Sequence, residues 1–175
     1  MVERIDKLNY EDNSEIKEKI GDENIYFSDK VNKINTSSFF TKNQERNFLI
    51  TDQAIYNFKG TEIKRRLQIE NIKGITIAKL SDEFIIHGNE NEYDYLFVSS
   101  ERKKIINILQ AVYETLTHKN LFFCIKNDSS LSKFLVTKKE RKKNPNAFKI
   151  EPKELMSIKE YIDSGGSFNI NTHPN

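Results

Sequence analysis

What this chain lacks narrows its chemistry before any pattern is read. It has one cysteine, Cys124, so no disulfide can form within it. That thiol sits in the run Leu121-Phe122-Phe123-Cys124-Ile125, and its apolar neighbours point to a buried structural role. The three histidines, His87, His118 and His173, fall at no metal-ligand spacing; His87, next to Ile86, reads as a packing or edge residue. No nucleophile motif accompanies any of them. Ser164-Gly165-Gly166-Ser167 lacks the lysine and the preceding strand of a phosphate loop. No stretch approaches the ~20 apolar residues of a membrane span. Met1-Val2-Glu3-Arg4 has no apolar signal core, and there is neither a myristoylation signal nor a prenylation box. Catalysis, a cofactor and a small-molecule substrate are therefore not expected, and a cytoplasmic location is.

Strong charge of one sign is also missing. The net charge is +2, so global electrostatics does not draw the chain onto nucleic acid or an anionic membrane. Any such attraction has to come from a local patch. What remains is a chain of 175 residues, 37% hydrophobic and 31% charged, which is enough for one domain with extensions and a wet surface.

Residues 1–24 read as an N-terminal acidic arm, loosely packed and solvated, with six carboxylates between Glu3 and Glu18. Asn13 or Ser14 can cap a short helix there, carrying Ile16 and Ile20 and stopping at Gly21. From residue 25 short apolar-rich runs alternate with turn residues. Strands are expected at 25–34, 47–50, 54–58, 62–69, 72–77 (interrupted by Gly74), 84–86 and 93–98, with a polar loop from Thr36 to Gln44. Strands this short and close together fit a barrel or sandwich. The clearest helix follows, capped by Ser99 or Ser100. Ile105, Ile106, Leu109, Val112, Tyr113 and Leu116 make one apolar stripe, and Asn107, Gln110 and Glu114 lie away from it. Residues 121–125 are a further strand candidate, 138–143 a charge run, and 151–162 a last short helix before a tail from Phe168.

Several short matches in one order make the central region similar to the tail homology 1 (TH1) domain of class I myosins, built on a pleckstrin-homology-like core. They are Lys33-Ile34-Asn35, the run from Arg46 to Tyr56, Lys64-Arg65-Arg66-Leu67 with Ile69, and Ile72-Lys73-Gly74-Ile75-Thr76. Leu80-Ser81-Asp82 with Phe84, Ile86-His87, Asp94-Tyr95 and the helix from Glu101 complete the set. The resemblance covers roughly residues 25–137. It implies an α+β fold: a pleckstrin-homology-like antiparallel β-barrel or sandwich capped by one C-terminal helix, here without a motor domain. The domain is expected at 25–137, with a basic linker, short helix and tail at 138–175.

The resemblance also implies a place for anions. Pleckstrin-homology lipid binders hold phosphoinositide head groups between their first two strands, using a basic residue on the first and two alternating basic residues on the second. Lys33 and Arg46 match; the middle position is Gln44, with Lys42 as a partial substitute and Lys64 as a second contact. Arg65 points away from Lys64 and Arg66 on an alternating strand. A second basic segment, Lys138, Lys139, Arg141, Lys142 and Lys143, reads either as a solvated linker or as a docking element for an acidic surface.

Two functions follow. The first is a non-catalytic protein-interaction or structural module, with a protein partner in an actin-based, ciliary (axonemal) or microtubule assembly. The alternative is a membrane adaptor that meets anionic phospholipids or phosphoinositides through the basic mouth. Nucleic acid is not the expected partner, since few aromatics interleave with the charges.

Overall fold

A computed structural model describes residues 2–36 and 41–168. The chain begins with strand β1 (Ile5–Asp6) and helix α1 (Ser14–Ile20). An antiparallel meander follows: β2 (Ile25–Thr36), β3 (Thr41–Thr51), β4 (Ala54–Lys59) and β5 (Glu62–Gln68). A second meander holds β6 (Ile72–Ala78), β7 (Glu83–Gly88) and β8 (Tyr95–Val98). Helix α2 (Arg102–Thr117) comes next, then β9 (Phe122–Lys126), α3 (Lys138–Lys143), β10 (Met156–Ser157) and α4 (Ile158–Asp163). Seven antiparallel strands followed by a helix is the pleckstrin-homology-like α+β arrangement that the resemblance implies.

The sheet is not closed into a barrel. Its strand order is β10-β9-β6-β7-β8-β2-β3-β4-β5, with β1 paired to β2 beside this path. The consecutive strands β5 and β6 do not pair; a single 3-10 turn, Ile69–Asn71, joins them. Helix α2 packs on that turn and buries Ile105, Ile106, Ile108, Leu109 and Val112 in the core lined by Phe27, Phe48, Ile50, Phe84 and Phe97. The apolar stripe is thus where its spacing puts it, but it fills an open corner rather than stoppering a cylinder. Gln110 belongs to the buried side as well, because its Oε1 accepts the Leu121 N–H at 3.2 Å. Neither serine is the cap: Glu101 is, without a side-chain bond. Instead the Arg102 guanidinium anchors the helix start. It is buried, and donates to the carbonyls of Ala78, Ser81, Glu83 and Phe168 at 2.6–3.0 Å.

Both outer faces of the sheet are apolar and both are covered. Leu49, Tyr56 and Phe58 face outward under Tyr10, Ile16 and Ile20. The segment expected to be loosely packed is therefore docked. Asn13 caps α1 by accepting the Ile16 N–H at 3.1 Å, Gly21 ends the helix at φ 66°, and β1 pairs in parallel with β2. On the other half, Leu131 and Leu135 cover Ala78, Ile85 and Leu96.

Three further expectations change. The polar stretch 41–46 is strand, paired in register from Asn35↔Lys42 to Val31↔Arg46; residues 37–40 of the expected loop lie outside the described residues. Strand β9 pairs in parallel with β6. The helix expected at 151–162 breaks into a 3-10 turn (Pro152–Glu154), β10 and α4. Of the expected tail, Phe168 packs on Phe123 and Tyr161, and 169–175, including His173, lie outside the described residues.

Ile16 is fully buried under the outer face. Ile16→Ala should therefore cost about 2–5 kcal/mol of stability, read from the urea midpoint. An unchanged midpoint would mean that the docked segment contributes nothing to the fold.

Candidate functional site

The alternation of β2 decides which residues meet. From Phe27 onward the odd positions of β2 face inward: Phe27 and Val31 are buried in the core, and Lys33 and Asn35 continue the row. Register carries the row across the sheet. Val31 faces Arg46, Lys33 faces Gln44 and Asn35 faces Lys42. On the next strands Phe48 faces Asn57 and Asn57 faces Arg65. On the other side Lys33 pairs with Phe97 of β8, two residues from Tyr95. The inner face is apolar over most of its length and changes, at the end nearest the β2–β3 connection, to Lys33, Arg46, Asn57, Arg65 and Tyr95.

These groups are incompletely satisfied. Arg46 donates from Nη2 to Gln44 Oε1 at 2.7 Å and from Nη1 to the Glu45 carbonyl at 2.9 Å. The Arg65 guanidinium lies between two tyrosine rings, 3.3 Å from the centroid of Tyr93 and 3.6 Å from that of Tyr95, a cation–π arrangement that fixes its plane. Its Nη2 donates to Glu92 Oε2 at 2.7 Å and to the Tyr93 carbonyl. Seven buried side-chain polar atoms among the described residues lack a hydrogen-bond partner. Five of them are here: Arg46 Nε, Arg65 Nη1, both amide atoms of Asn57 and the Tyr95 hydroxyl. Unmet buried polar groups are costly, so their concentration beside three cations makes this end of the sheet the candidate site. Burial, then the fields of Arg65 and Arg46, hold the Lys33 ammonium down at about 8. Burial also pushes the Tyr95 hydroxyl up.

Of the residues singled out from sequence, Lys33 and Arg46 come together. Lys42 shares their face but is exposed at the projecting end of the hairpin. Lys64 does not join them: it is the extra residue at a bulge in β5, with no partner on β4, and it donates to Glu62 at 2.6 Å. Arg65, Asn57 and Tyr95 were not read as site residues. The signal for Arg65 lies in the alternation that turns it away from Arg66, which bonds Tyr56 and Glu23 on the outer face.

The charge run 138–143 is a helix, not a linker. Thr137 and Glu140 form a reciprocal capping box at its start. Lys138 and Lys139 line a cavity of about 250 Å³ together with Lys33, Tyr93 and Leu135, and Lys142 and Lys143 are exposed. Arg141 turns inward. It is buried, and donates to the carbonyls of Gly88, Glu92, Pro145 and Ala147, which removes it from any docking surface.

His87 is neither an edge residue nor a site. Its Nε2 is 2.6 Å from Thr76 Oγ1 and its Nδ1 2.7 Å from Asp94 Oδ2. The order matches a hydroxyl–imidazole–carboxylate triad, but all three are buried and bonded to one another and to the main chain, with none of them among the unpartnered buried polar atoms. Asp94 is committed to the architecture, accepting the N–H groups of Gly88 and Val136. Cys124 is buried, and that burial raises its thiol.

The model of one protein family, the unconventional myosin tail described as actin- and lipid-binding, matches residues 4–174. The chain belongs to this family of TH1 domains. The matched span takes in both outer covers as well as the strands. Among curated relatives, the myosin ID heavy chain of Dictyostelium discoideum is 33% identical over 131 residues, 64% of this chain and 12% of that protein. The myosin IC heavy chain of Acanthamoeba castellanii is 26% identical over 124 residues, 61% of this chain and 11% of that one. The TH1 chain thus spans only about an eighth or less of these relatives. Among solved structures, the N-terminal pleckstrin-homology domain of human ARAP2 is 14% identical, with a TM-score of 0.45 over 59% of this chain and 88% of that one.

The lowered Lys33 amine gives this TH1 domain a pH signature. An anion in the mouth needs the ammonium form, so affinity for a soluble inositol phosphate should fall as pH rises through about 8, well below the ordinary lysine range. Stability of the unliganded fold should move oppositely. The unfolded chain keeps this proton up to 10.5, so the penalty of the buried charge is relieved as pH rises between those values. Calorimetric titration across this window checks the first effect; a flat affinity would place the anion elsewhere.

Proposed function

We propose that this TH1 domain is a membrane-docking module whose cationic mouth takes a phosphorylated lipid headgroup. The observation that carries the reading is the set of unmatched donors around Lys33, Arg46 and Arg65. Surface lysines near an anionic bilayer contribute about 1 kcal/mol each, so three together fall short of even a millimolar complex at about 4 kcal/mol. Buried donors differ: hydrogen bonds to charged groups are worth about 1.5–3 kcal/mol each, and an arginine fork matches phosphate geometry. The family description as lipid-binding supports the same reading.

A second reading rests on the neighbouring surface of α3, whose Lys138 and Lys139 also line the cavity beside Lys33. The outward lysines of α3 (Lys138, Lys139, Lys142 and Lys143) stand on a capped helix held by Arg141, which makes a fixed basic face suited to an acidic filament. The description of the family as actin-binding favours a cytoskeletal protein as that partner, and the two contacts together would place the domain where membrane and cytoskeleton meet. Neither the family description nor the relatives name a cilium or axoneme.

Sedimentation with phosphatidylcholine vesicles containing phosphatidylinositol bisphosphate separates these readings. Arg46→Glu should reduce pelleting to the level of plain phosphatidylcholine while leaving actin co-sedimentation unchanged. Undiminished pelleting of the variant would remove the mouth as the lipid site.

A further inference from the structure

The family pattern accounts for Lys33 and Arg46 and leaves the rest of the mouth unexplained. Arg65 lies opposite Asn57 on paired strands, so their side chains leave the same face about 5 Å apart. The Tyr95 ring lies against the guanidinium. Asn57 is 1% exposed and Tyr95 2%, and their amide and hydroxyl have no partner, like Arg65 Nη1 between them. The other side of the guanidinium is held by Glu92 at 2.7 Å.

Glu92 is placed there by its loop. A Cβ at Gly88 would come within 2.6 Å of the Glu92 Cβ, so only glycine lets the loop close this tightly. The Glu92 N–H donates to the Asn89 carbonyl at 3.0 Å, and its own carbonyl accepts Arg141 Nε at 2.9 Å. The backbone is fixed, while the side chain remains 23% exposed and has solvent to rotate into.

Building on the proposed lipid-docking reading, we propose that Arg65, Asn57 and Tyr95 form a buried phosphate subsite beside Lys33 and Arg46, and that Glu92 occupies Arg65 as a resident carboxylate that an incoming phosphate must displace. A phosphate monoester brings a charge near −2 and three acceptor oxygens. It can take Arg65 Nη1, the Asn57 amide and the Tyr95 hydroxyl, none of which Glu92 reaches. With Glu92 in place the dianion meets a like charge, so the carboxylate sets how much phosphate density the mouth requires before it fills.

Three variants test this against both soluble inositol trisphosphate and phosphatidylinositol bisphosphate vesicles, each with a thermal melt. Glu92→Gln should tighten both ligands by about tenfold, the size of one hydrogen bond between charged groups. Glu90→Gln removes the same charge from an exposed position on the same loop and should leave the soluble ligand unchanged; equal tightening by the two variants would reduce the effect to net charge and overturn the gate. Tyr95→Phe deletes only the unmet hydroxyl. It should weaken both ligands several-fold with an unchanged or raised melting temperature, whereas lower stability with intact affinity would make that hydroxyl structural and overturn the subsite. Arg46→Glu is the reference: if it still binds, the lipid-docking reading fails; if it does not bind while Glu92→Gln and Tyr95→Phe behave as the parent, only the subsite and its gate fail.

Discussion

Three cationic side chains share one end of the inner face of an open sheet, and among the described residues a single carboxylate, Glu92, pairs with any of them. The rest of the molecule can be understood as what holds that imbalance in place. The inner face below the mouth is a continuous aromatic and aliphatic core, which gives the strands a rigid base and keeps the cations from sinking further in. Helix α2 fills the corner that β5 and β6 leave unpaired. The α1 segment covers one outer face and the 131–136 segment the other. Because both outer faces are apolar, the strands alone would expose large apolar patches, and the flanking segments are part of the fold.

The arginines divide cleanly by how their donors are met. Arg102 and Arg141 are buried, and all their nitrogens donate to main-chain carbonyls. They fasten segments far apart in sequence, α2 to the 78–83 turn and Phe168 in one case, α3 to the loop after β7 in the other. Arg46 and Arg65 are also drawn in, yet each keeps an unpartnered nitrogen. A buried guanidinium with every donor used is architecture; one with a donor left over is what the proposed anion site requires. Arg141 links the two groups, because the loop it holds by the Glu92 carbonyl is the loop that sends the Glu92 carboxylate to Arg65.

Much of this was legible in the sequence where one periodicity dominates. The α2 stripe, the Asn13 cap, the Gly21 stop and most strand positions follow from apolar spacing and turn residues. Polar residues misled where tertiary context overrides composition. Residues 41–44 read as loop because this end of β2 and β3 projects past the sheet and both its faces are wet, yet the backbone pairs there from Thr36↔Thr41 onward. The run 138–143 read as linker because five of its six residues are cationic, but the capping box at Thr137 starts a helix, and a helix turns one residue in three or four inward, here Arg141. Charge groups Lys64 with Lys33, but the bulge in β5 leaves Lys64 without a cross-strand partner and sets Arg65 opposite Asn57 on the inner face. His87 has no nearby ligand in sequence because its partners, Thr76 and Asp94, come from the neighbouring strand and the following loop.

The most direct test of the cationic mouth is side-chain NMR of the arginine Nε–H groups during titration with inositol trisphosphate. The account predicts that the signals of Arg46 and Arg65 shift and gain protection together, while those of Arg102 and Arg141 stay still. Perturbation confined to backbone signals of α3, with the two mouth arginines unmoved at saturation, would contradict it.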